Sequence, residues 1–153
     1  MNKILIYGYG NPGRQDDGIG AQFVEMVDEW IKTEQLYFIS TDCNYQLNIE
    51  DAATIADFDI VLFVDASVVE DLVDYKLETI EPNDATIEFT MHAVSTSFVV
   101  DLCQKLYGKT PHAYVLHVKA YEFDFIEGLT QNATGNLNEA FKFMKKFVSD
   151  KIA

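Results

Sequence analysis

Short apolar runs alternate with amphipathic stretches along this chain. Residues 4–7 and 60–64 are continuously apolar, a pattern typical of strands buried on both faces of a sheet. Apolar residues recur at helical spacing from Ile19 to Ile31, and the same pattern returns over residues 131–149. Weaker patterns predict further strands at 37–40, 87–90 and 114–120, and further helices at 49–56 and from Ser95 or Thr96 to Gly108.

This alternation of strands and helices predicts an α/β fold, a three-layer α/β/α sandwich with a mostly parallel central sheet. We expect residues 60–64 to form an interior strand that ends at Asp65. With 153 residues, 48% of them hydrophobic, the chain is long enough for a single domain, 1–153, with a sizeable core.

Charge narrows the range of partners. The chain carries 25 acidic and 11 basic residues, a net charge of −14, which opposes binding to nucleic acid and to anionic membranes. We expect no signal peptide at the opening residues, and no apolar run reaches membrane-spanning length. Cys43 and Cys103 have no C-x-x-C spacing, so we expect reduced thiols in a cytoplasmic protein.

The loop after the first strand is rich in glycine and ends in two adjacent acids, Asp16 and Asp17. Its glycines match the G-x-G-x-x-G dinucleotide fingerprint, but Pro12 removes an N–H and the loop is too long to aim a helix end at a pyrophosphate. We therefore expect no nucleotide. Either acid would suit the start of the following helix, and we expect one of them to cap it.

Three polar residues occupy the same kind of position, at or just after the end of a strand: Asp17, Asp65 and His92. The carboxyl ends of parallel strands face one crevice, and two carboxylates with an imidazole suit a divalent transition metal with open positions. Each also has a structural interpretation, as a cap, a loop carboxylate or a core histidine. His117 lies within a strand and is expected to be structural, and His112 is expected in a loop.

Several motifs, taken together, resemble the nickel–iron hydrogenase maturation endopeptidases over nearly the whole chain. None is decisive alone, but their order and spacing are specific. They are Gly8-Tyr9-Gly10-Asn11, Asp16-Asp17-Gly18, Gln46-Leu47-Asn48-Ile49-Glu50, Val64-Asp65-Ala66, His92-Ala93-Val94-Ser95, and the F-E-x-G-E-G-L-S-like segment 123–130.

The resemblance implies an activity: removal of a C-terminal extension from the hydrogenase large-subunit precursor once nickel has been inserted. It implies that nickel arrives with the substrate, although other divalent cations can occupy the site. The chain departs from the family at Thr96, where proline is common. The implied metal-contacting and catalytic residues are Asp17, Asp65 and His92, and the implied substrate contacts are Gly10, Asn11 and Gln46.

Two alternatives stay open from the sequence. Peptidyl-tRNA hydrolases share the G-x-G-N-P-G opening, but residues 14–18 here lack the histidine expected in that family, and the net charge opposes tRNA. A metal-sensing module that docks the hydrogenase subunit without cutting it would show the same residues. No serine or cysteine nucleophile is evident, and Cys43 is not expected to act as one.

Overall fold

One sheet organises the structure, a computed structural model that describes residues 2–81 and 94–152. Its strands run in the order β2-β1-β3-β5-β4, with β4 antiparallel to β5 and the other pairs parallel. The mostly parallel sheet and the interior position of β3 confirm the predictions. The strands are β1 (Ile4–Tyr9), β2 (Ile39–Asn44), β3 (Ile60–Ser67), β4 (Tyr75–Ile80) and β5 (His112–Lys119).

Helices connect the parallel strands. Ser95 caps α3 by accepting the N–H of Phe98 at 3.1 Å, and Gly108 ends that helix in the left-handed conformation, as predicted. No helix within residues 2–81 and 94–152 is long and apolar enough to cross a membrane. The helices are α1 (Ile19–Glu34), preceded by a 3₁₀ turn (Gln15–Gly18), then α2 (Asp51–Ile55), α3 (Thr96–Tyr107) and α4 (Gln131–Ile152).

Helices cover both faces of the sheet, because successive residues of a strand point to opposite sides. Ile60, Leu62 and Val64 of β3 pack in one core cluster with α1 and α4. Val61 and Phe63 pack in a second cluster with α2 and α3. Each fully buried side chain of this kind contributes about 1.5–3 kcal/mol. The predicted three-layer sandwich is therefore confirmed.

Some predicted boundaries are wrong. β3 does not end at Asp65 but continues to Ser67, because its last residues pair with β5. β2 starts later than predicted and runs on to Asn44, since a polar edge strand shows little apolar patterning. His112 begins β5 instead of lying in a loop. The predicted strand 87–90 lies outside the described residues.

Candidate functional site

The sheet reverses its strand order beside β1, and this reversal defines a crevice. From β1 the chain passes through α1 to β2 on one side, and later through α2 to β3 on the other. Ligands of open α/β sheets bind at such a switch point, beyond the carboxyl ends of the strands. Asp17 lies in the connection after β1, and Asp65 lies near the carboxyl end of β3. His92 lies outside the described residues.

The glycine loop holds the Asp17 carboxylate in place. The N–H of Asn11 donates to Asp17 Oδ2 at 2.7 Å. Gly10 has φ +131°, and a Cβ on it would overlap the Asp17 carbonyl oxygen, so only glycine fits at this position. The loop thus uses its amide to bind a carboxylate of its own chain, a different role from the phosphate cradle that the fingerprint suggests.

Asp16, the neighbour of Asp17, is fully buried and bonds a different part of the chain. Its carboxylate accepts the N–H groups of Tyr121 (2.9 Å), Glu122 (3.1 Å) and Thr130 (2.7 Å), and the Thr130 hydroxyl (2.8 Å). Burial on its own would raise the pKa of Asp16, but these donors together lower it below the ordinary value. Asp16 therefore joins the turn before α1 to the segment after β5.

The predicted cap on α1 is wrong for both acids. Gly18 is the N-cap of α1, and glycine has no side chain to cap it. The 3₁₀ turn places Asp16 and Asp17 before the N-cap, so their carboxylates reach other backbone amides instead. The local sequence suits a cap, but the turn geometry decides where the oxygens point.

Asp65 is a carboxylate with few donors. Its side chain is 31% exposed, and the Tyr9 hydroxyl lies beside it. Burial first, and then the negative charge of Asp17, raise the pKa of Asp65 from 3.8 to about 7, while the Tyr9 hydroxyl lowers it. The two carboxylates are thus close enough to repel each other, and a cation between them would be attracted.

Of the three metal contacts predicted from the sequence, the structure describes Asp17 and Asp65 but not His92. Within residues 2–81 and 94–152, no group of three or more His, Cys, Asp or Glu side chains is placed to hold a metal ion. Asp17 and Asp65 could hold a divalent cation with their carboxylate oxygens, and two such ligands would leave coordination positions open. The role of His92 stays a prediction.

A cleft of about 600 Å³ opens beside the crevice, between the ends of β1 and β2. Gly10 and Gln46, two of the three predicted substrate contacts, line it together with Cys43. Asn11 contributes the amide bound by Asp17. Burial, followed by the charges of neighbouring acids, raises the pKa of Cys43, which makes its thiolate scarce and argues against a nucleophilic role.

Tyr7 of β1 holds one side of this cleft in place through its hydroxyl. Its hydroxyl donates to Asp51 Oδ2 at 3.0 Å and accepts from Asn44 Nδ2 at 2.7 Å. Asp51 also accepts the N–H of Asn48 at 2.7 Å. These bonds fix the segment that carries Gln46 to β1 and to the start of α2.

Sequence reasoning missed how residues 121–130 contribute. The backbone N–H of Gln15 donates to the carbonyl of Ile126 at 2.8 Å, and the Arg14 guanidinium lies over the Phe125 ring at 5.3 Å. The segment resembled a family motif, but nothing in its spacing indicated that it closes on the acidic turn. Tyr9 was also missed, because a hydroxyl at a strand end carries no pattern.

Fold and site together define an α/β protein with an acidic crevice at the switch point of its sheet. No protein-family model matches the chain, and no curated protein matches it significantly. Solved structures do resemble it. The hydrogenase maturating endopeptidase HybD from E. coli aligns with a TM-score of 0.75 and 18% identity, covering 97% of this chain and 93% of that one.

Archaeal structures show the same likeness. The NiFe hydrogenase maturation protease HycI from Thermococcus kodakarensis aligns with a TM-score of 0.73 and 18% identity over 97% of this chain and 93% of that one. A hydrogenase 2 maturation peptidase from a Thaumarchaeota archaeon aligns with a TM-score of 0.68 and 15% identity, covering 96% of this chain and 98% of that one. At these identities the comparison establishes the fold: this chain has the fold of the hydrogenase maturation proteases, which confirms the resemblance at that level.

Proposed function

We propose that this chain is an endopeptidase that removes the C-terminal extension of a nickel–iron hydrogenase large-subunit precursor after nickel insertion. The observation that carries the proposal is the pairing of Asp17 with Asp65 at the switch point. The fold supports it, because the similar solved chains are named as hydrogenase maturation proteases. Both cysteines are free thiols, which fits the cytoplasm as the proposed location.

The proposed chemistry starts from electrostatics. Asp17 and Asp65 repel each other across the crevice, and a divalent cation converts that repulsion into attraction. The metal is nickel carried by the precursor, so it forms part of the substrate. We assign Asp17, Asp65 and His92 as its contacts. Contact with the metal sets the scissile peptide beside these carboxylates and polarises its carbonyl or an attacking water.

Gly10, Asn11 and Gln46 are the proposed contacts for the peptide itself. Gly10 and Gln46 both line the cleft beside the crevice. An extended peptide can find amide donors and acceptors there without a charged partner. The extension would then run from the crevice into this cleft.

The surroundings of the crevice suit a protein substrate. Large apolar side chains are exposed in the loops that follow the carboxyl ends of the parallel strands, where the crevice opens. Exposed apolar residues gathered around one site are typical of protein contact surfaces. They are Tyr45 and Ile49 after β2, Val68, Val69 and Val73 after β3, and Tyr121, Phe125 and Ile126 after β5.

The deciding experiment compares two forms of one substrate. Purified protein is incubated with nickel-loaded and with nickel-free precursor, and the mass of the large subunit is measured over time. We expect cleavage of the loaded form alone, because metal contact is part of recognition. Equal cleavage of both forms would refute metal recognition. Binding of the loaded form without any cleavage would indicate a docking module instead of a protease.

A further inference from the structure

His117 lies directly beside Asp65. The two residues pair in register across β3 and β5, so their side chains share one face of the sheet. His117 Nδ1 lies 3.9 Å from Asp65 Oδ2, and Nε2 lies 3.8 Å from Glu78 Oε1. On this face of β5, His117 follows the buried apolar residues Ala113 and Val115, and its two ring nitrogens each face a carboxylate.

The Nδ1 atom is the informative one. It is buried and has no hydrogen-bond partner among the described residues. Buried polar atoms in folded proteins are nearly always hydrogen-bonded, so an orphan of this kind calls for an explanation. The Asp65 carboxylate is 3.9 Å away, which is too long for a hydrogen bond but close enough for a small rotation to form one.

The environment also selects the position of the ring proton. A bare Nδ1 lone pair facing a carboxylate would place two acceptors against each other in a buried setting, whereas Nδ1–H supplies a donor. The other nitrogen faces Glu78, whose side chain is 60% exposed and can be hydrated. A cavity of about 200 Å³ lined by His117 and Glu78 leaves room for a water molecule between Nε2 and the Glu78 carboxylate.

We propose that His117 is a positioning residue for Asp65, with Nδ1–H donating to Asp65 Oδ2 when the carboxylate engages the metal. The proposal rests on the proposed function, because it takes Asp65 as a metal contact. This Nδ1–H bond would limit rotation of the Asp65 carboxylate, so that one oxygen is held by His117 and the other stays free for the cation. Metal-ligating carboxylates are commonly held by outer hydrogen bonds, and these bonds often tighten only in the complex.

This assignment differs from the expectation that His117 is only structural. A structural histidine would satisfy Nδ1 within the core and would tolerate any replacement that fills the same volume. A positioning histidine requires a donor at the Nδ1 position. Asparagine places its amide N–H₂ close to the site of Nδ1, and glutamine places it nearer the site of Nε2, so these two variants separate the interpretations.

The first test needs no substrate. The full-length chain, labelled with ¹⁵N, is examined by NMR before and after addition of Cd²⁺, in wild type and in Asp65→Asn. We expect the His117 ring proton on Nδ1, and a change in the Nδ1 resonance on adding Cd²⁺ that is lost in Asp65→Asn. A ring proton on Nε2, or an Nδ1 signal indifferent to both changes, would overturn the proposal.

The second test measures processing of nickel-loaded precursor. His117→Ala and His117→Gln are expected to lower kcat/KM about 10- to 100-fold, and His117→Asn to recover much of the loss. His112→Ala, at the far end of the same strand, serves as the control and stays at the wild-type rate.

Failure of the proposal and failure of the proposed function give different results. Wild-type rates in His117→Ala, measured with a wild-type enzyme that cuts, would overturn the role of His117 and leave the protease intact. A wild-type protein that never cuts would refute the protease, and the NMR experiment would still decide whether His117 holds Asp65.

Discussion

Asp16 is buried and Asp65 is partly buried, yet the groups around them shift their pKa values in opposite directions. Asp16 is fully buried and accepts hydrogen bonds from three backbone amides and one hydroxyl, and its pKa falls below the ordinary value. Asp65 is less buried, but its burial and the nearby charge of Asp17 raise its pKa to about 7.

The comparison teaches that burial alone does not decide the state of a carboxylate. Desolvation disfavours the charge at both residues, and the number of donors determines whether the charge survives. Asp16 uses its charge to hold two chain segments together. Asp65 has a carboxylate whose charge the protein compensates poorly, so a cation bound beside it would favour the charged form, which is the property that a cation-binding position needs.

The largest expected effect comes from neutralising Asp65. Asp65→Asn keeps the size of the side chain and removes the charge that attracts the cation, so we expect processing of nickel-loaded precursor to fall by roughly 10²-fold or more. Stability should not fall, and should rise toward neutral pH, because this carboxylate is poorly compensated in the wild type. Rates are measured by mass analysis of the large subunit, and stability by urea unfolding.

Asp57→Asn is the matched control for this change, since Asp57 is exposed near the opposite end of β3. We expect the control to process substrate at the wild-type rate. If Asp65→Asn processed the precursor at the wild-type rate, the assignment of Asp65 to the site would be refuted.

The next effect concerns stability at Asp16. Asp16→Asn replaces an acceptor-only group by an amide, whose N–H₂ must face the donors from Tyr121, Glu122 or Thr130. We expect a loss of about 2–4 kcal/mol in the free energy of unfolding, measured in urea. A variant within about 0.5 kcal/mol of wild type would show that these bonds do not join the two segments, since that is the range of an ordinary surface change.

The two carboxylates should give opposite slopes of stability against pH in metal-free protein. The folded pKa of Asp16 lies below its unfolded value, so its contribution is complete above pH about 4 and is lost as the pH falls below that. The folded pKa of Asp65 lies above its unfolded value, so stability falls as the pH rises from about 4 to about 7.

Urea unfolding of wild type, Asp16→Asn and Asp65→Asn across this pH range separates the two slopes. Relative to wild type, Asp16→Asn should have a lower free energy of unfolding, and this difference should shrink only at acid pH. Asp65→Asn should have a higher free energy of unfolding, and this difference should grow toward neutral pH. Parallel curves for wild type and Asp65→Asn would contradict the raised pKa of Asp65.

A smaller effect is expected when Asp65 loses its neighbouring hydroxyl. Tyr9→Phe removes the hydroxyl that lowers the pKa of Asp65, so we expect the carboxyl to titrate higher and processing to fall roughly 3- to 10-fold. The carboxyl ¹³C shift of Asp65, followed against pH, measures the change. Tyr7→Phe is the control, because the Tyr7 hydroxyl bonds Asp51 and Asn44 instead. An equal shift in both variants would mean that the effect is not local.

Sequence patterning predicted the elements well where burial is strong. The apolar run at 60–64 indicated an interior strand, and Ser95 and Gly108 marked the two ends of α3 correctly. These features are local, because a two-sided apolar run and a cap each depend on only a few neighbouring residues. The polar edge strand β2 was misplaced because its extent depends on pairing with β1.

The sequence by itself determined that acids stand at the strand ends of an α/β fold, since residue type and periodicity are written in it. Only the tertiary structure separated the roles of the adjacent residues Asp16 and Asp17. Asp16 bonds a segment 105 to 114 residues away, whereas Asp17 bonds an amide six residues away. The tertiary structure also set His117 against Asp65, 52 positions apart, through the register of β3 with β5. Strand register and loop docking arise from packing across the whole sheet, and no local pattern encodes them.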